Sequence, residues 1–215
     1  MYKKIIKRAI DILLSLIGII VLAIPMLIVA VTIKIDSPGP ALFTQRRVGI
    51  HKKEFVILKF RSMPVNAPHD TPTHRLGRVR LTGFQRFIRR SSIDELPQIF
   101  NIFAGHMSIV GPRPALWNQY DLIAERDRYG ANDVKPGLTG WAQINGRDEL
   151  GIPEKARFDG EYVAALNAGH GRGFAMDGKC FVGTVGSVIR HKGVIENGTC
   201  DSRDEAAAEK ETVGK

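Results

Sequence analysis

Ile12–Ile33, ILLSLIGIIVLAIPMLIVAVTI, holds no charged residue, and its roughly 22 positions match the ~20 that a helix needs to cross a hydrocarbon core. The run is longer than the apolar region of a secretory signal and no small-residue cleavage site follows it, so a membrane-resident helix is the expectation. Pro25 lies inside the run, where it removes a helix hydrogen bond and predicts a kink. Lys3, Lys4, Lys7 and Arg8 precede the run, and Lys34, Arg46 and Arg47 follow it. Positive charge marks the cytoplasmic side of a span. Charge at both ends leaves two topologies open: a spanning helix, or one that enters, bends at Pro25 and leaves by the same face.

Working outward, Ser37-Pro38-Gly39-Pro40 breaks the chain and divides a membrane element, residues 1–36, from a globular domain over residues 37–200. Ala41–Thr44 and Glu54–Phe60 are β-prone and flank a polar turn at Gly49–Lys53, which predicts a hairpin. Asn66–Thr73, with Pro68 and Pro72, reads as a loop. Phe84, Phe87 and Ile88 recur at helical spacing with Arg86, Arg89 and Arg90 on other faces. This basic amphipathic helix either lies on an acidic membrane or packs on the core. A second helix is expected from Ile93 to Phe103, with Ser92 and Glu95 as a capping box and Gly105 as the C-terminal stop. Residues 201–215 are charged and lack an apolar face, the pattern of a disordered tail. The fold class is α+β: a membrane-inserted helix on a compact, mostly helical domain with a small β-hairpin or sheet.

Composition narrows the function classes. The formal charge of +9 over 215 residues favours anionic partners. Cys180 and Cys200 stand apart in no ligand-like spacing, and the six histidines form no zinc motif. Gly173–Cys180 nearly spells a phosphate-binding loop, but Cys180 replaces the required Ser or Thr. No nucleic-acid-reading motif accompanies the charge.

Asp94 and Glu95 form an adjacent acidic pair in RRSSIDELPQ. As first-turn acids they would favour the helix dipole. As functional groups they would serve different partners, because neighbours on a helix point about 100° apart. Arg113 is fixed between Pro112 and Pro114, either as a phosphate clamp or as an exposed arginine in a rigid turn. Gly137, Gly140 and Gly146 surround Trp141, Gln143, Asn145 and Arg147, a loop that could approach a base or sugar closely.

In order, SPGPALFTQRRVG, KFRSM, RRSSIDELPQIFNIFAGHMSIVGPRP and VKPGLTGWAQINGR resemble the bacterial sugar transferase family, the monotopic phosphoglycosyl transferases, from Lys3 to about Tyr162. The resemblance implies transfer of a phosphosugar from a UDP-sugar to undecaprenyl phosphate with release of UMP, on the cytoplasmic face of the bacterial inner membrane. It implies Asp94 as the nucleophile and Glu95 as the ligand of a Mg2+ cofactor. Lys59, Arg61, Arg89 and Arg113 match phosphate-holding positions, and Asp159 resembles a later acidic position of the site. Two departures stand out. Ile24 precedes Pro25 where the family often has serine, and after Tyr162 the glycine-rich Asn167–Gly173 falls where related chains continue as helix. The alternative function is a non-catalytic, membrane-anchored basic protein that binds acidic lipid or a glycan-assembly partner.

Overall fold

The computed structural model describes residues 2–67, 79–146, 149–169, 171–190 and 199–200. Arg147, the tail 201–215 and most of the expected loop at 66–73 lie outside the described residues. After a π-helical turn at Tyr2–Ile6, α1 runs over Lys7–Asp36. The hairpin follows, β1 (Leu42–Val48) against β2 (Glu54–Phe60), antiparallel with Leu42 opposite Phe60 and Val48 opposite Glu54. Next come β3 (Val79–Arg80), α2 (Gly83–Arg90), α3 (Gln98–Ala104), β4 (Ser108–Val110) and α4 (Tyr120–Asp127). The chain continues through β5 (Gly137–Thr139), α5 (Trp141–Ile144), α6 (Ile152–Asn167) and α7 (Arg172–Arg190) to β6 (Thr199–Cys200). Parallel pairs join β4 to β5 and β3 to β6. The α+β expectation holds.

At 30 residues α1 is about 45 Å long and apolar enough to cross a membrane. It passes through Pro25 as one helix: a single backbone bond is lost, and the neighbouring Met26 packs against the domain. One stripe of α1 touches the globular domain along its length. Arg8 donates to the carbonyls of Ile102 and Phe103, at 2.7 and 2.8 Å, and Asp11 accepts from the Ile109 amide at 2.9 Å. Gly18 faces Ile99 so closely that a Cβ would lie 2.3 Å from its Cδ1. Met26 and Ile33 join Phe60 and Ile88 in one buried cluster. At the far end Thr82 Oγ1 donates to Asp36 at 2.8 Å. The other stripe is bare, with Ile20, Ile24, Ile28 and Ile35 all at least 60% exposed.

The expected second helix is split. Ile93–Glu95 forms a single 3-10 turn, and α3 begins only after Pro97. The capping box at Ser92 does not form: Ser92 is left-handed, with φ 56°, and its side chain caps nothing. Glu95 is drawn instead to cations described below, and the capping box sits one helix earlier, between Thr82 and Gln85 of α2. Gly105, with φ 90°, ends α3 as expected.

Gly137 and Gly140 of the Lys135–Arg147 segment make a close approach to backbone. A Cβ on Gly137 would lie 2.1 Å from the Gly111 nitrogen, and one on Gly140 would lie 2.1 Å from the Gly111 carbonyl oxygen. They let the β5 segment run against Gly111-Pro112, whose backbone it bonds at Gly111 and Pro112. Close approach is thus between two backbones, and most of the supposed loop is β5 and α5.

Past Tyr162 the chain is still helical. α6 ends at Asn167, the backbone turns through left-handed Gly169 and Gly171, and α7 packs back. The P-loop-like Gly173–Cys180 lies wholly inside α7. Asp177 of α7 receives bonds from Tyr2 (2.5 Å), Lys7 (2.7 Å) and Tyr162 (2.8 Å), tying α7 to the start of α1 and to α6.

Candidate active site

The hairpin, the turn after α2 and the Gly111–Pro114 loop converge on the acidic pair. Both carboxylates are buried, Asp94 and Glu95 each at 9% exposure. Ser62, two residues past the end of β2, donates to Asp94 Oδ2 at 3.2 Å. Lys59 of β2 donates to Glu95 Oε1 at 3.0 Å. Arg113 forks onto the same carboxylate, Nη1 to Oε2 at 3.2 Å and Nη2 to Oε1. The adjacent acids therefore do face different partners.

Their electrostatics follow from this packing. Burial, and then the charge on Glu95, push the Asp94 carboxyl up to about 6, while Lys59, Arg89 and the Ser62 hydrogen bond pull the other way. Burial also lowers the Lys59 ammonium, against the attraction of Glu95 and with the help of Arg113 and Arg47. Arg89 closes the ring from the end of α2, with a buried Nε that has no hydrogen-bond partner.

The structure brings together Lys59, Arg89, Asp94, Glu95 and Arg113. It places others elsewhere. The Arg61 side chain, expected on phosphate, is buried against the C-terminal end of α1, donating to the carbonyls of Pro38 (2.7 Å) and Ser37 (2.6 Å) and to Ser37 Oγ (2.9 Å). Its guanidinium thus holds the segment through which the chain leaves α1. Asp159 is 1% exposed and ion-paired with Arg126 of α4, at 2.6 and 2.8 Å. Burial raises its pKa and Arg126 opposes the rise. That pair joins α6 to α4. Asn145 is exposed and donates to the Trp141 carbonyl, closing the last turn of α5. Gln143 presents buried amide oxygen and nitrogen atoms without hydrogen-bond partners, beside Gly140 and hence beside the loop that carries Arg113.

Sequence reasoning missed two members. Ser62 lay unremarked inside KFRSM. Arg47 was counted only as a charge flanking the apolar run, yet it lies close enough to act on Lys59 and is aimed by Gln45 Oε1, at 2.6 and 3.1 Å, and by the Pro114 carbonyl at 3.0 Å. Alternation along β1 was the available signal, since it puts Gln45 and Arg47 on one face.

Lys59, Arg89, Arg113 and Arg47 ring the buried carboxylate pair, and ammonium and guanidinium groups are the side chains whose charge and geometry match phosphate oxygens. The chain belongs to the bacterial sugar transferase family, whose model matches residues 2–191. That match reaches through α7, further than the motifs alone suggested. The chain is 46% identical over 149 residues to a UDP-glucose:undecaprenyl-phosphate glucose-1-phosphate transferase of Xanthomonas campestris, covering 67% of this chain and 31% of the relative. It is 36% identical over 191 residues to the uncharacterized sugar transferase EpsL of Bacillus subtilis, covering 88% and 90%. It is 37% identical over 204 residues to an exopolysaccharide production protein of Rhizobium leguminosarum, covering 88% and 98%. Several of the curated relatives are thus much longer, and the chain spans about a third of them.

Proposed function

We propose that the chain transfers a sugar phosphate from a UDP-sugar to undecaprenyl phosphate at the cytoplasmic face of a bacterial inner membrane, releasing UMP. The observation that carries this reading is the buried Asp94–Glu95 pair with each acid committed to a different neighbour. Asp94, beside Ser62 and free of a direct ion pair among the described bonds, is the nucleophile: its carboxylate oxygen bonds to the β-phosphorus as the bond to UMP breaks. The lipid phosphate then attacks the same phosphorus and restores the carboxylate. With a pKa near 6, Asp94 is ionised at neutral pH yet poorly solvated, which suits attack.

Lys59 and Arg113 are both ion-paired with Glu95. An incoming diphosphate offers both cations a more highly charged partner and draws them off Glu95. With Lys59 and Arg113 turned to the diphosphate, the Glu95 carboxylate would be left as a buried oxygen donor of the kind a hard divalent ion takes. Glu95 would hold the Mg2+, which when bound supplies charge neutralisation at the diphosphate. Arg89 and Arg47 flank the same ground and steady the transferred group. Gln143, with an unsatisfied donor and acceptor, is suited to the imide edge of uracil or to a sugar hydroxyl.

Release of UMP tests the reading against a non-catalytic lipid-binding role. Purified protein with Mg2+, undecaprenyl phosphate and a panel of UDP-sugars should yield UMP with at least one sugar, and Asp94→Asn should lose at least about a hundredfold of that rate. No UMP from any sugar, or an Asp94→Asn variant within about tenfold of the unaltered protein, refutes it.

A further inference from the structure

Ser62 and Asp94 are aimed at each other by one apolar cluster. Phe60, two residues before Ser62, is buried with Met26 and Ile33 of α1 and Ile88 of α2. Ile93 and Leu96, on either side of the acidic pair, pack against the same cluster. Arg61 ties down the residue between Phe60 and Ser62, through its amide to the Ala41 carbonyl at 2.9 Å and through its guanidinium to the Ser37 and Pro38 carbonyls. Ser62 is itself buried, and its hydroxyl donates to Oδ2 of the Asp94 carboxylate at 3.2 Å. Among the described residues this is the hydrogen bond that reaches the carboxylate, and it falls on one oxygen of the two.

We infer that Ser62 is a positioning residue that gives the two oxygens of Asp94 separate roles: it holds Oδ2, leaves Oδ1 to bond to phosphorus, and stabilises the carboxylate when that group departs. The role rests on the two-step transfer proposed above. In the first step the Oδ1–phosphorus bond forms as the bond to UMP breaks, and UMP leaves with the electron pair. Oδ2 is then the neutral carbonyl oxygen of an acyl phosphate. In the second step an oxygen of the lipid phosphate bonds to phosphorus as the Oδ1–phosphorus bond breaks, the pair returns to Asp94, and charge spreads again onto Oδ2. Ser62 keeps its proton throughout. A hydroxyl binds an ionised oxygen about twice as strongly as a neutral one. The Ser62 bond therefore weakens as Asp94 attacks and strengthens as Asp94 departs, so it favours discharge to the lipid rather than charging by the UDP-sugar.

The test uses the full chain in detergent with Mg2+, undecaprenyl phosphate and the UDP-sugar that yields UMP in the panel above. In a two-step exchange through a covalent intermediate, kcat/KM for each substrate reports its own half of the reaction. Ser62→Ala should keep kcat/KM for the UDP-sugar within about threefold and lose at least about fivefold in kcat/KM for undecaprenyl phosphate. Ser62→Cys, of similar shape but a weaker donor, should fall between Ser62→Ala and the unaltered protein. With the lipid left out, Ser62→Ala should still release UMP in a burst of the unaltered size. Equal losses in both ratios, or losses that track a fall in Tm, make Ser62 a scaffold residue and overturn the assignment. A Ser62→Ala protein that matches the unaltered one in both ratios overturns it too, as does a Ser62→Cys protein with a lower lipid ratio than Ser62→Ala. No UMP from the unaltered protein with any sugar overturns the transfer itself and this role with it, whereas normal UMP release with an indifferent Ser62 refutes the role alone.

Discussion

Asp94 is kept in a position that disfavours its charge, and activity and stability therefore respond to it in opposite directions. Its folded pKa, about 6, lies above the ordinary value of 3.8. On the proposed reading the attacking form is the ionised one, so UMP release should fall about tenfold per pH unit below about 6 and level off above it. Arg89→Gln removes a cation that favours ionisation, so the inflection should move to higher pH; an unmoved inflection would separate Arg89 from Asp94. For stability, the group's contribution is present below its unfolded pKa near 4 and is lost as pH rises through about 6, a cost of order 3 kcal/mol. Asp94→Asn should accordingly melt at or above the temperature of the unaltered protein at pH 7.5 while losing turnover. A marked drop in Tm would show that the carboxylate is structural.

Arg113 allows a second test at the same scale. Lysine there retains the charge but not the fork onto Glu95. Arg113→Lys should lose at least roughly tenfold in kcat/KM, about 1.4 kcal/mol of transition-state stabilisation. A matching loss in Tm would assign the residue to the scaffold instead.

Among the elements, α4 and α6 depend on a contact that sequence reasoning had assigned to substrate. Arg126 and Asp159 are 5% and 1% exposed, and removing one partner leaves a buried charge uncompensated. Arg126→Ala should cost about 3–5 kcal/mol, measured by denaturant unfolding. Arg126→Met with Asp159→Leu should recover much of that loss, and its turnover per folded molecule should stay near normal. Loss of turnover in a stable double variant would return Asp159 to the substrate site. Arg61 has a comparable duty just past the end of α1, where its bonds to Ser37 and Pro38 fix the exit of the chain from the helix.

For the whole molecule, the decisive relation is between α1 and the domain. Lys7 and Arg8 at one end of α1, and Asp36 at the other, are each bonded to the same globular body. A helix fastened along its length cannot cross a bilayer while the domain stays entirely on one side. In proteoliposomes or cells, cysteines placed at Tyr2 and at Lys53 should be labelled from the same side; labelling from opposite sides would establish a span. Asp177→Ala removes the acceptor shared by Tyr2, Lys7 and Tyr162 and should loosen the N-terminal attachment.

The apolar run, the hairpin, the amphipathic α2 and the Gly105 stop were legible in the sequence because each rests on local chemistry: hydropathy over about 20 residues, period-2 and period-3.6 patterns, and a left-handed turn. The motifs also singled out Asp94, Glu95, Lys59, Arg89 and Arg113, and the fold brings these five together. Tertiary structure alone decided where each cation is directed. Lys59 and Arg61 are two residues apart, yet one reaches Glu95 and the other the end of α1. Asp94 and Asp159 are both buried acids raised by burial, but one is ion-paired with Arg126 while the other lies beside the charge on Glu95. The glycines at 111, 137 and 140 have no legible purpose until two backbones are seen to touch there. Long-range partners determine a side chain's charge state and aim, and a local pattern carries no record of residues that meet it from 18 to 175 positions away.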